Sequence, residues 1–177
     1  MLGHVSKLLG SVRNSVRPPR QGVIAGPRGP IQFQRDALGY PRIRARDQLD
    51  GTFARGYMHA LDRMVQVHLT LVGARGRFME FLGDQPFART LDRATRTIGI
   101  AHGLQQQVQA MAAPTRALLE AYCDGFNAGV AARVRPPGLA AAGIPTVRLT
   151  PAELVLSYRF LAYFGLSSQQ HVAEVIV

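Results

Sequence analysis

The chain has 177 residues, 47% of them hydrophobic, which suits one domain with its own core and excludes a disordered or low-complexity polymer. A formal charge of +10 raises nucleic acid or an anionic membrane as partners. The lone cysteine, Cys123, excludes an intrachain disulfide and a cysteine-based metal site, and no apolar run approaches the roughly 18 residues of a membrane span.

The basic charge is uneven. From Lys7 to Arg46 the basic side chains face Asp36 as the only acid, and the remainder is nearly balanced. Lys7 is the sole lysine, so the arginine usage reads either as a compositional bias or as the complement of an oppositely charged partner subunit.

Residues 1–22, with Pro18-Pro19 and scattered arginines, read as a flexible basic arm, and residues 23–177 as the folded domain. Val5 to Leu9 is too short and too interrupted for the apolar core of a secretory signal. A cytoplasmic protein is therefore expected, or a periplasmic or secreted one whose signal has been removed. From Ile31 to Ala45 apolar and polar residues alternate around Asp36-Ala37-Leu38-Gly39, which predicts a hairpin of two short strands.

Asp47 offers an N-cap to a long helix whose stripe runs Leu49, Phe53, Tyr57, Leu61, Met64, Val65, His68, Leu69 and Val72, ending near Gly73 to Gly76. Phe78, Phe81 and Leu82 before Gly83 predict a short helical piece with a glycine C-cap. Thr90 to Ala110 reads as one helical region weakened by Gly99 and Gly103. Pro114 opens a further helix with the stripe Leu118, Leu119, Tyr122, Phe126 and Val130, stopped by Arg135-Pro136-Pro137-Gly138. Gly138 to Val147 reads as a surface loop. Thr150-Pro151-Ala152-Glu153 is a capping box that launches a helix through at least Phe164. The apolar Val175-Ile176-Val177 predicts cover from a neighbouring chain or a longer precursor.

Catalytic machinery is sparse. There is no phosphate loop, His-Glu-x-x-His helix, Cys-x-x-Cys pair or Gly-x-Ser-x-Gly elbow. His59 and His68 are expected as satisfied packing residues. Ser167-Ser168 near His171 lacks a third group to orient a nucleophile and base. Asp62, Glu80, Asp92 and Asp124 are expected in ion pairs or at helix ends.

An ordered series rises above this background. It comprises Arg35-Asp36 with Gly39-Tyr40-Pro41-Arg42-Ile43, then Gly56-Tyr57-Met58-His59-Ala60-Leu61-Asp62-Arg63-Met64 with Gln66. Gly76-Arg77-Phe78-Met79-Glu80-Phe81-Leu82-Gly83, Asp92 with Arg96, and Ala121-Tyr122-Cys123-Asp124-Gly125-Phe126-Asn127-Ala128 follow. From about Ile31 to Phe164 this resembles the small chain of the penicillin acylase family of N-terminal-nucleophile hydrolases. That family includes penicillin, cephalosporin, glutaryl, aculeacin-type and acyl-homoserine-lactone acylases.

The resemblance implies a mainly α-helical small chain with a short N-terminal β-hairpin, completing an αββα sandwich with a large partner chain. It also implies a precursor that cuts itself, and amide cleavage through an acyl-enzyme on an N-terminal Ser of that large chain. No catalytic residue is then expected here. Within the series, Gly56 is expected to permit close packing, and Asp62 with Arg63 to lock helix to sheet through charge-assisted hydrogen bonds.

By the same resemblance, Leu156 and Phe160 on the last helix contact the acyl group, Arg159 holds a helix end or touches a polar part of the substrate, and Tyr163 is a further pocket candidate. Core packing remains an equal reading of Leu156 and Phe160. Some relatives bind calcium through a small-chain acid where this chain has Leu166, so no metal or cofactor is expected from this chain unless Glu174 serves, and calcium otherwise only through the large one. The expected partners are the large chain and an N-acyl amide, without nucleic acid. An acyltransferase on the same scaffold and a non-enzymatic Arg-rich binding module are the alternatives.

Overall fold

Three short strands precede the helices, in a computed structural model that describes residues 18–133 and 136–176, with side chains through residue 166. Strands β1 (Gln21–Gly26), β2 (Gly29–Arg35) and β3 (Pro41–Arg44) form an antiparallel sheet in the order β1-β2-β3, with Ile24 opposite Ile31 and Phe33 opposite Ile43. Period-two alternation sends Ile24, Ile31 and Phe33 into the core and leaves Val23, Gln32, Gln34, Arg42 and Arg44 outside.

The expected hairpin is β2 with β3. Strand β1 was not anticipated, because Gly22, Ala25 and Gly26 are weak strand formers. It begins inside the stretch expected as an arm, of which residues 1–17 lie outside the described residues.

Helix α1 (Gln48–Ala74) starts where expected, with the Asp47 carboxylate accepting the Asp50 N–H at 2.9 Å. Its buried face is turned toward Ala54, Gly56, Met58 and Ala60, while the expected Leu49, Tyr57, Val65 and Leu69 are only half-buried. The rotation follows from what α1 packs on. Helices α2 (Phe78–Leu82), α3 (Pro86–Ile98) and α4 (Leu104–Ala110) lead to α5 (Ala113–Ala131), the main partner of α1.

The two helices touch backbone to backbone. A Cβ on Gly56 would stand 2.1 Å from the Tyr122 carbonyl oxygen, and one on Gly125 only 1.8 Å from that of Phe53. Contacts pair Phe53 with Gly125, Tyr57 with Gly129 and Leu61 with Arg133, so α1 and α5 run parallel. Parallel neighbours need a long crossover, which α2, α3 and α4 provide.

Two connecting regions differ from expectation. Thr90 to Ala110 is not one helical region, because Gly99 (φ 72°) closes α3 and Gly103 (φ 65°) precedes α4, both left-handed. The stretch from Gly138 to Val147 is not a surface loop: it continues a short helix α6 (Pro137–Ala141), and its Leu139 and Ile144 are buried in a cluster with Met64 and Val72. Helix α5 also ends at Ala131, ahead of the expected proline stop. Helix α7 (Pro151–Ile176) then crosses α1, α4 and α5.

Sheet and helix are locked by a charge pair whose acid was expected and whose base was not. Asp62 on α1 receives a two-pronged guanidinium from Arg35 on β2, Nη2 to Oδ1 at 2.8 Å and Nη1 to Oδ2 at 3.0 Å. Arg63 is exposed instead. Arg35 also donates to the Gly39 and Pro19 carbonyls, tying the approaches to both edge strands to one side chain.

Candidate functional site

The start of α7 is fixed from two sides. Thr150 Oγ1 accepts the Glu153 N–H at 3.3 Å, and Glu153 pairs with Arg75 from the end of α1 at 3.0 Å. Asn127 on α5 clamps Leu149, accepting its N–H at 2.8 Å and donating to its carbonyl at 2.9 Å. The sequence series contains Asn127, but nothing local reveals that its amide substitutes for a strand partner just before α7.

The four residues singled out on α7 are positioned differently. Leu156 is wholly enclosed in a cluster with Ala74, Ile100, Leu104, Val108 and Val155. Phe160 packs half-buried over that cluster, close enough to Gly73 that a Cβ there would come within 3.1 Å of its ring. Phe164 lies against Phe160 with ring centroids 4.7 Å apart, and Tyr163 meets Phe164 edge-on at 5.3 Å. Tyr163 itself is 45% exposed.

Arg159 holds the turn between α3 and α4. It donates to the carbonyls of Ile100 at 2.9 Å and His102 at 2.6 Å, and to Gln107 Oε1 at 2.5 Å. Beyond this anchor, α7 presents Tyr158, Leu161, Tyr163 and Leu166 to solvent. The aromatic step from Phe160 to Phe164, with Tyr163 beside it, is the most chemically distinctive surface of the helix.

Several other titratable groups have structural occupations. Asp92, buried on α3, accepts the N–H groups of Phe78 at 2.8 Å and Met79 at 2.9 Å, so it caps α2. Glu80 pairs with Arg77 at 2.6 Å, and Asp124 with Arg148 at 3.7 Å. His68 is buried between the Met64 carbonyl at 2.8 Å and the Val147 N–H at 3.2 Å, which assigns a neutral ring with the proton on Nδ1. Burial pushes the Cys123 thiol up to about 12, the opposite of an activated nucleophile. The side chains of Ser167, Ser168 and His171 lie outside the described residues. Among the described residues no three His, Cys, Asp or Glu come together as metal ligands would.

Asp50 differs from these. It is buried in the first turn of α1, and neither carboxylate oxygen has a hydrogen-bond partner.

His59 joins α1 to α5 through the Tyr122 hydroxyl at 2.7 Å from Nδ1. Burial, and then Arg55, lower its pKa below the ordinary 6.5. As pH falls through 6.5 the unfolded chain binds a proton that the folded ring resists, so stability present above that pH declines below it. H59Q, which keeps an acceptor for Tyr122, is expected to flatten this part of the acid decline in thermal midpoint against pH. An unchanged profile would contradict it.

The architecture is that of a penicillin G acylase chain. The thermostable penicillin G acylase of Alcaligenes faecalis superposes with a TM-score of 0.67 over 78% of this chain and 74% of that one, at 23% identity. The family model for penicillin amidase matches residues 30–176, and the chain belongs to that family. Among curated relatives, the penicillin acylase 2 proenzyme of Pseudomonas sp. strain SE83 is 35% identical over 116 residues, 64% of this chain. The acyl-homoserine lactone acylase QuiP of Pseudomonas aeruginosa is 30% identical over 164 residues, 89% of this chain. The chain covers 15% and 19% of the length of these two proteins. No helix among the described residues is long and apolar enough to cross a membrane.

Proposed function

We propose that this chain is the small subunit of an N-acyl amidohydrolase, formed with a large chain from the same precursor. An N-terminal Ser of the large chain attacks the amide carbonyl with its own α-amino group as base; the amine departs, and water hydrolyses the resulting acyl ester. The small chain supplies scaffold and one wall of the acyl pocket, its sheet joining the large chain in an αββα sandwich.

Family membership supports the reaction class, and the precursor reading draws on the proenzyme named among the relatives. The observation that carries the role of this chain is the aromatic step on α7. Phe160 and Tyr163 offer rings to a ligand, Leu156 backs Phe160 from within the core, and Arg159 fixes the helix by its three hydrogen bonds. Exposed Tyr158, Leu161 and Leu166 on the same helix suit cover by a second chain.

The test is expression of the complete precursor, followed by N-terminal sequencing of its products and assay on N-acyl amides of graded chain length. Two chains, the larger beginning with Ser, and amine release are expected. Phe160→Ala is expected to lower kcat/KM for the preferred acyl group by roughly tenfold and to shift the preferred length, as loss of apolar contact does. A precursor that stays uncut and inactive defeats the proposal; unchanged chain-length preference in F160A defeats the pocket assignment.

A further inference from the structure

The outer face of the sheet carries charge that no carboxylate among the described residues neutralises. The register sets two rows across the strands, Val23–Gln32–Arg44 and Gln21–Gln34–Arg42, around a shallow hollow of about 440 Å³. No acid lines it. Arg42 and Arg44 lie on the same face of β3, roughly 7 Å apart along the strand, so their charges repel.

Elsewhere several acids are engaged within the chain. Arg28 pairs with Asp47, Arg35 with Asp62, Arg75 with Glu153, Arg77 with Glu80 and Arg89 with Asp84. Among the described residues neither Arg42 nor Arg44 meets a carboxylate. The segment before the sheet is no candidate to fill the hollow, since Lys7, Arg13, Arg17 and Arg20 are its only charged side chains.

We propose that this glutamine and arginine face is a docking surface for an acidic segment of the large chain, two carboxylates of which pair with Arg42 and Arg44. The reading rests on the two-chain assembly proposed above. Planar guanidinium forks match carboxylates in two-pronged geometry, and the glutamine amides beside them donate and accept, as an extended backbone requires. The occupant removes the Arg42–Arg44 repulsion and covers Val23, which is 64% exposed.

The experiment uses the processed full-length protein and measures dissociation of its two chains at low and high salt. R42E with R44E is expected to weaken association by roughly tenfold or more and to lose most of the salt dependence. R42Q with R44Q should fall between, with unchanged circular dichroism. R55E with R93E makes the same charge change on α1 and α3 and is expected to have little effect. Amides of the sheet should exchange more slowly in the assembled protein than in the dissociated small chain.

Equal weakening by both pairs of substitutions, or none by the sheet pair, overturns the docking surface while leaving the two-chain enzyme standing. A product that never forms two chains defeats the parent reading. Salt-steep binding of duplex DNA by the wild-type protein, abolished by R42E with R44E, overturns the acidic occupant in favour of a phosphate backbone.

Discussion

Gly125→Ala is expected to be the most damaging small substitution in the chain. The added methyl would stand 1.8 Å from the carbonyl oxygen of Phe53 and 2.6 Å from its carbon, both backbone atoms of the facing helix. No rotamer relieves such a clash, and α1 and α5 must part. Overpacking of this kind costs about 3 kcal/mol or more, a fall of roughly 10 °C in thermal midpoint for a domain of this size. Gly99→Ala is the control. Its φ of 72° is disfavoured for alanine, but open space surrounds the position, so only the backbone penalty of about 1–2 kcal/mol applies. Similar midpoints for the two variants would show that α1 and α5 do not approach so closely.

The second large effect is expected at the lock between sheet and helix. Asp62→Ala leaves the Arg35 guanidinium, 6% exposed, without its counter-ion, and removal of one partner from a buried pair costs about 3–5 kcal/mol. The lower end applies because the Asp62 side chain is 24% exposed and water can partly replace it. Replacing both partners by apolar groups, Arg35→Met with Asp62→Leu, should recover much of the loss, although the Arg35 bonds to Pro19 and Gly39 are not restored. A double-mutant cycle by denaturant unfolding is expected to give a coupling of about 2 kcal/mol. Additive single losses would mean that the two side chains act independently.

Both sites show how far the residues could be read in advance. Gly56 was legible as a close-packing position, whereas Gly125, in the tighter contact, was legible only as part of a motif. Asp62 was legible as a charged lock, yet its partner lies 27 residues away on β2, not beside it at Arg63. Strand β1 escaped notice because its glycines carry no strand signal. Gly22 is needed there because the Phe33 ring fills the space a side chain would occupy, 2.9 Å from a Cβ.

On α7 the same division holds. The capping box placed the helix start, and spacing put Leu156 and Phe160 on one face. Only the fold made Leu156 interior and left Tyr163 at the surface, since the cluster that encloses Leu156 comes from α1, α4 and the turn holding Ile100. The resemblance leaves Arg159 either a helix anchor or a substrate contact; its carbonyl partners lie 57 and 59 residues away.

By itself the sequence determined where α1 and α2 begin and end and where α5 and α7 begin, which strands form the second hairpin, and the family series that identifies the chain. Those signals are local: a cap, a glycine with positive φ or an apolar period is satisfied by atoms within a turn or two of the residue that carries it. The tertiary structure decided which face of α1 is buried, which arginine meets Asp62, that Leu139 and Ile144 belong to the core, and that Arg42 and Arg44 meet no acid among the described residues. Burial and ion pairing depend on surfaces brought together from distant parts of the chain, and no period or motif encodes which of several similar residues will arrive opposite.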